Sequence, residues 1–498
     1  MSDSSKYGNI FKSTALFGFV QVFNILFKVG INKVVAVLLG TAGMGVISLF
    51  QQATALLSAA CGLGINQSAV RDISEARESG NEIKVSQTIT LVRKIIRLTS
   101  LLGVVVTITL SPLISRWTFG NSNYTISYIS LSLVTGFMIQ TMGYVAINTG
   151  MRQLKNVALS NLFGSMAGLI VAIPFYYFFR EKGIVPSLIV SSFATMLMSA
   201  YYAHKVRYEK IELSLKESIK SSKSTIIMGI SLMLMSMMLT LSSLILSSYI
   251  SNNGGLSIVG LYQAGATIIV SYFAVIITAM STEYYPRICG INHDNKALAE
   301  AVNRQSETGL IIALPLVIVF VFLIPYFLKF LYSEAFMQSA EYTDYAIIGS
   351  IAIICSNCMG MVLLAKQNAK IFLTSSLISI IIILAINILL YNSLGLMGLG
   401  IGYAVNGLFQ FAIYEIIMKI CYKISFSKTV FFNLTICILS CIGARFLRGV
   451  ETLWLYWTGG FAFFFLSLLY SLWYMQKKMD LNIIEKINNI IRKHSSAK

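Results

Sequence analysis

The sequence predicts an all-α polytopic membrane protein of about fourteen transmembrane helices, arranged as two homologous six-helix bundles around a central cavity plus a terminal helix pair. Three observations lead there. Of 498 residues, 56% are hydrophobic and 12% charged, with a mean hydropathy of +0.74, whereas a soluble domain carries about 25% charged residues. Apolar runs such as 310–328, 371–390 and 461–474 recur along the whole chain, and a bilayer core asks for about 20 such residues per helix. Basic residues fall in alternate connections between those runs, as the positive-inside rule requires.

Apolar runs and their polar breaks give spans near 11–39, 42–70, 95–116, 124–149, 154–179, 183–203, 225–250, 256–285, 306–332, 343–365, 370–392, 396–420, 428–446 and 452–475. The polar stretch 1–12 runs into a long first helix without a charged n-region and cleavage site, so the N-terminus is expected to remain and to lie inside. With that orientation both termini are cytoplasmic. Cytoplasmic segments then hold 30 of the 38 Lys and Arg residues and outer segments 6, with Lys28 and Lys33 inside the first span. Topology therefore accounts for the net charge of +18, and no nucleic-acid partner is needed. No outer loop exceeds about a dozen residues, too short for a folded domain.

The expected divisions are a bundle at 1–204, a cytoplasmic linker at 205–224, a second bundle at 225–421, a helix pair at 422–476 and a tail at 477–498. The linker mixes Lys205, Arg207, Glu209, Lys210, Glu212, Lys216, Glu217 and Lys220 at near-helical spacing, which suits a solvated or interfacial helix. In the tail, Ile483, Ile484, Ile487, Ile490 and Ile491 share one helical face that suits the inner leaflet. Three segments recur at nearly one offset. Leu49-Phe50-Gln51 matches Leu261-Tyr262-Gln263, the run 110–117 matches 323–330, and Gly183-Ile184-Val185 matches Gly395-Leu396-Met397. This ordered repetition argues for duplicated halves, which have an even number of spans and are related by an axis along the membrane normal.

The matched segments also carry a resemblance. Lys33-Val-Val-Ala-Val-Leu-Leu-Gly40-Thr-Ala-Gly43-Met-Gly45 followed by Phe50-Gln51-Gln52 resembles the opening of bacterial O-antigen and enterobacterial-common-antigen translocases. So does Val259-Gly260-Leu261-Tyr262-Gln263 with Tyr285-Pro286-Arg287. The resemblance implies a multidrug/oligosaccharidyl-lipid/polysaccharide exporter fold. It also implies a flippase that moves undecaprenyl-diphosphate-linked saccharide repeat units to the periplasmic leaflet, with a polysaccharide polymerase and a chain-length regulator as partners.

Such transport needs no covalent catalysis, so no catalytic residue, metal or cofactor is assigned and the chain is read as a transporter rather than an enzyme. A multidrug antiporter of the same superfamily is the nearest alternative. A polymerase would need a long outer loop that is absent from the predicted topology. Ionisable groups in hydrocarbon cost several kcal/mol and mark functional sites by default. Lys28 shares a helix face with Gln21 and Asn24, whereas Lys33 points about 140° away. Lys28 and Lys33 are diphosphate candidates facing a cavity, or side chains that snorkel. Gln51 and Gln263 are candidates for sugar hydroxyls, or for helix-to-helix hydrogen bonds. Arg71 and Arg287, with Arg152, Lys155, Lys366 and Lys370, lie at cytoplasmic helix ends where a diphosphate would arrive. Glu283 and Glu415 are the carboxylates read as lying well inside spans. They bind a proton or sodium ion, or neutralise Arg287 and Lys419 four residues on. Of seven cysteines, Cys355 and Cys358 form a CxxC without a nearby histidine, and packing explains them better than zinc.

Overall fold

A computed structural model describes residues 23–24, 26–206, 208, 223–273, 280, 284–285, 287–366, 368–449 and 452–479. The chain divides into two compact units, Met1–Gln263 with Leu331–Phe336, and Ala264–Phe330 with Met337–Lys498. The first unit holds α1 (26–38), α2 (Gly40–Cys61), α3 (Ile65–Glu78), α4 (Glu82–Phe119), α5 (Thr125–Gly150), α6 (Leu154–Phe179), α7 (Ile184–His204), α8 (Lys223–Gly254) and most of α9 (Leu256–Thr267). In the second, the end of α9 continues as a π-helical turn at Ile268–Phe273. There follow α10 (Asn295–Leu331), α11 (Ala340–Ala365), α12 (Ala369–Tyr422), α13 (Lys428–Arg448) and α14 (Leu453–Met479). The fold is all-helical among the described residues, and apart from a break in the second, the described parts of the fourteen predicted spans lie on helices, the first and eighth spans being described only in part. Stretches long and apolar enough to cross a membrane include Leu154–His204 and Ile371–Tyr422, of 51 and 52 residues. Each is long enough for two crossings.

Three boundaries differ from the sequence reading. The second predicted span is two helices, because Leu63 and Gly64 take positive φ (48° and 65°) and stop α2. Arg71 accordingly lies within the short α3 instead of ending a spanning helix. The third and ninth spans start 13 and 11 residues early, at Glu82 and Asn295. Asn81 caps α4 by accepting the Lys84 N–H at 3.1 Å, and Asp294 caps α10 by accepting Lys296 N–H at 2.8 Å and Ala297 N–H at 3.2 Å. The early turns of α4 hold because Ile89, Val92 and Ile96 pack into a core with Ala69, Ile73, Ala146, Ile147 and Val206.

The duplication appears in backbone geometry, in a register that corrects the sequence match. Arg180 and Gly395 share one unusual conformation, φ 51° and ψ −132° against φ 60° and ψ −136°. A Cβ on Gly183 would meet the Phe175 carbonyl at 2.2 Å, and one on Gly398 the Leu390 carbonyl at 2.0 Å. Both pairs are 215 positions apart, so Gly183 corresponds to Gly398, and Gly395 corresponds to Arg180. Composition misled here because Gly-Leu recurs a turn apart, at 395–396 and 398–399.

In the second unit the terminal pair is fastened at both ends. Near the start of α10, Glu307 accepts the Ser427 hydroxyl at 3.2 Å and the Tyr474 hydroxyl at 2.9 Å. At the opposite end, Asp344 on α11 takes both guanidinium nitrogens of Arg448, and Arg445 approaches it at 3.5 Å. The orientation expected from the basic residues would put these ends inside and outside respectively. Cysteines introduced near residues 210, 295 and 485 should therefore react only with permeant maleimide, and those near 121 and 253 also with impermeant reagent. An externally reactive residue 210 would overturn the two-halves reading.

Candidate functional site

In the first unit a cavity of about 370 Å³ is lined by α2, α8 and α9. Its geometry starts from two glycines. A Cβ on Gly45 would lie 2.1 Å from the Leu256 carbonyl, and one on Gly260 would lie 1.9 Å from the Thr41 carbonyl. The contact is reciprocal, so α2 and α9 touch through bare backbone, as close-packed membrane helices do at small residues.

One turn further along, Ser48 and Gln263 meet. The Ser48 hydroxyl donates to Gln263 Oε1 at 3.0 Å. Gln52 Nε2 donates to Ser48 Oγ at 2.8 Å and to Gln263 Oε1 at 3.4 Å, while Gln52 Oε1 accepts the Ser243 hydroxyl at 3.1 Å. Four side chains from three helices thus form one amide and hydroxyl network on the cavity wall. The described lining residues are all uncharged. Such a wall exchanges hydrogen bonds with a neutral polyhydroxyl ligand at little desolvation cost, because each displaced bond is replaced in kind.

Gln51 and Gln263 both line this cavity, but they are not counterparts. The glycine contact sets Thr41 against Leu256 and Gly45 against Gly260, so Ser48 corresponds to Gln263. Gln51 is exposed and takes no part in the network described. Sequence reasoning missed Gln52, Ser48 and Ser243. The pair Gln51-Gln52 offered two faces of α2 without saying which turns inward.

The predicted charged residues are dispersed. Lys28 is exposed on α1 and Asn24 is half-buried, with its Oδ1 unpartnered. Gln21 lies outside the described residues. Lys33 donates to the Tyr332 carbonyl at 2.5 Å. Arg71 is exposed, Arg152 pairs with Glu78 on the surface, and Lys366 donates to Asn295 Oδ1 at 2.7 Å. Arg287 donates to Gln305 Oε1 at 2.9 Å and stands 5.8 Å from the centre of the Tyr284 ring. Glu283 lies outside the described residues. Glu415 accepts the Phe426 N–H at 3.0 Å, closing the turn between α12 and α13. Cys355 and Cys358 are buried free thiols. Among the described residues, a buried carboxylate that sequence reasoning did not single out is Asp344, 2% exposed.

Comparison with known proteins matches residues 10–292 to the family described as polysaccharide biosynthesis protein. The lipid III flippase of Escherichia coli (strain K12) is 20% identical over 373 residues, covering 70% of this chain and 84% of that protein. Among solved structures, the lipid II flippase MurJ in an inward closed conformation superposes with a TM-score of 0.70 at 12% identity, covering 94% of this chain and 99% of that one. An inward-facing multidrug resistance MATE family transporter of the MOP superfamily gives 0.60 at 14% identity, covering 82% and 98%. These likenesses establish a shared fold.

Proposed function

The chain belongs to the polysaccharide biosynthesis protein family, and from that premise we propose that it is a flippase carrying lipid-linked saccharide from the cytoplasmic to the periplasmic leaflet. The cargo in this reading is an undecaprenyl-diphosphate-linked repeat unit of O-antigen, capsule or a similar surface polysaccharide. The observation that carries the reading is the uncharged network of Gln52, Gln263, Ser48 and Ser243. An acidic wall would suit a cationic drug, whereas amides and hydroxyls suit sugars. The names of the E. coli relative and of MurJ support lipid-linked cargo.

In the same reading Lys28, Lys33 and the cytoplasmic basic residues draw in the diphosphate, and Glu283 or Glu415 couples transport to a proton or sodium gradient. The halves at 1–204 and 225–421 move about the linker at 205–224. A polymerase and a chain-length regulator act on the delivered unit.

The test is surface polysaccharide in cells that lack the chromosomal copy. Gln52→Leu removes three hydrogen bonds worth about 0.5–1.5 kcal/mol each, and is expected to lower export several-fold at equal membrane abundance, as is Gln263→Leu. Unchanged polysaccharide in the deletion itself would overturn the reading and return the multidrug antiporter.

A further inference from the structure

A second cavity of the first unit, of about 330 Å³, lies between the start of α5, the Arg180–Gly183 turn and the first turns of α2. That volume is within the range of small-molecule sites, about 300–1,000 Å³. One wall is aromatic. The Tyr124 ring stacks on Phe119 with centroids 3.8 Å apart and planes 21° apart, and Phe50 meets it edge-on at 5.9 Å. Phe50 in turn packs edge-on against Tyr128 at 5.2 Å, so this wall is fixed before any ligand arrives.

The polar groups opposite are Ser127, Ser130, Glu181 and Lys182. Glu181 and Lys182 are exposed, and among the described residues no hydrogen bond or ion pair engages either side chain. Their turn is nevertheless held rigidly. Arg180 keeps positive φ while its Nη1 donates to the Leu38 carbonyl at 3.0 Å, and Gly183 sits against the Phe175 carbonyl where a Cβ has no room.

The chemistry narrows the ligand. Lys182 disfavours a cation, Glu181 disfavours a phosphate or diphosphate, and both exclude a lipid tail. A neutral polyhydroxyl ring satisfies all of them. Its hydroxyls donate to the carboxylate and accept from the ammonium and serines, while its C–H face lies on a fixed, amphipathic aromatic ring. We propose that this cavity is a saccharide subsite, on the face predicted to be outer, which holds a sugar of the cargo after crossing. The assignment rests on the flippase reading.

Ser127→Cys places a near-isosteric thiol in the cavity, and the probe is membrane-impermeant maleimide on intact cells. Labelling should be several-fold slower in cells that assemble the lipid-linked saccharide than in cells lacking its first glycosyltransferase. Asn253→Cys, at the exposed outer end of α8, should react equally in both. Adding Tyr124→Ala should abolish the protection, whereas Tyr124→Phe, which keeps the stacked ring, should retain it. Equal labelling in the two backgrounds, protection that survives Tyr124→Ala, or a thiol at position 127 that no outer reagent reaches would each overturn the subsite. Surface polysaccharide measured in the same cells separates the two readings. Export that depends on the protein without protection of the Ser127→Cys thiol removes the subsite alone, and export that does not need the protein removes both.

Discussion

Asp344→Ala is expected to destabilise the protein by about 3–5 kcal/mol, the cost of stranding charge when one partner of a buried ion pair is removed. Asp344 is 2% exposed, Arg448 is 13% exposed, and the carboxylate spans both guanidinium nitrogens while also facing Arg445. Without it, two arginines remain at the end of an apolar bundle with the Tyr345 hydroxyl and the Val321 carbonyl as described acceptors. The measurement is thermal unfolding in detergent with a thiol-reactive dye, for which buried Cys355, Cys358, Cys437 and Cys441 serve as native reporters. Asp344→Ala with Arg448→Met should recover much of the loss, since it removes the more buried of the two stranded charges. An unchanged midpoint in the single variant would show that solvent compensates these arginines.

Gly260→Val and Gly45→Val are expected to abolish export and lower the unfolding midpoint. At each position an added Cβ collides with a backbone carbonyl, at 1.9 and 2.1 Å, and a carbonyl within a helix cannot retreat alone. The two helices would have to separate by about an ångström, overpacking that costs about 1–3 kcal/mol or more. Ser48 and Gln263 sit one turn from these glycines, so the same separation breaks their 3.0 Å bond and opens the network around Gln52. Gly290→Ala, where a new Cβ meets nothing within 4 Å, is the control. Normal export in Gly260→Val would show that the α2–α9 contact is dispensable to the cavity.

The spans were legible because hydrocarbon demands long apolar runs, and among the described residues those runs are helical. Their ends were less so. Gly62-Leu63-Gly64 reads as a continuation of an apolar run, although its glycines were a visible signal for the left-handed residue that ends α2. The caps Asn81 and Asp294 were also visible, but the turns they begin are amphipathic and fall outside a search for hydrophobic windows. Gln52 was hidden for a different reason. α2 carries polar residues on two faces, Ser48 with Gln52 and Thr54 with Gln51, and which of these amides turns inward depends on how Gly45 meets Gly260. The partnership of Asp344 with Arg445 and Arg448 spans about a hundred positions, and no periodicity links residues so far apart.

That distance has a consequence during synthesis. A ribosome adding about 5–20 residues per second delivers Asp344 to the bilayer roughly 5–20 s before Arg445 and Arg448 emerge. For that interval α11 carries a carboxylate with neither arginine to receive it. The last two helices therefore complete the electrostatics of a helix made much earlier. A nascent chain that stops before α13 keeps that carboxylate unmatched, so the charge that closes the finished bundle also distinguishes it from an unfinished one.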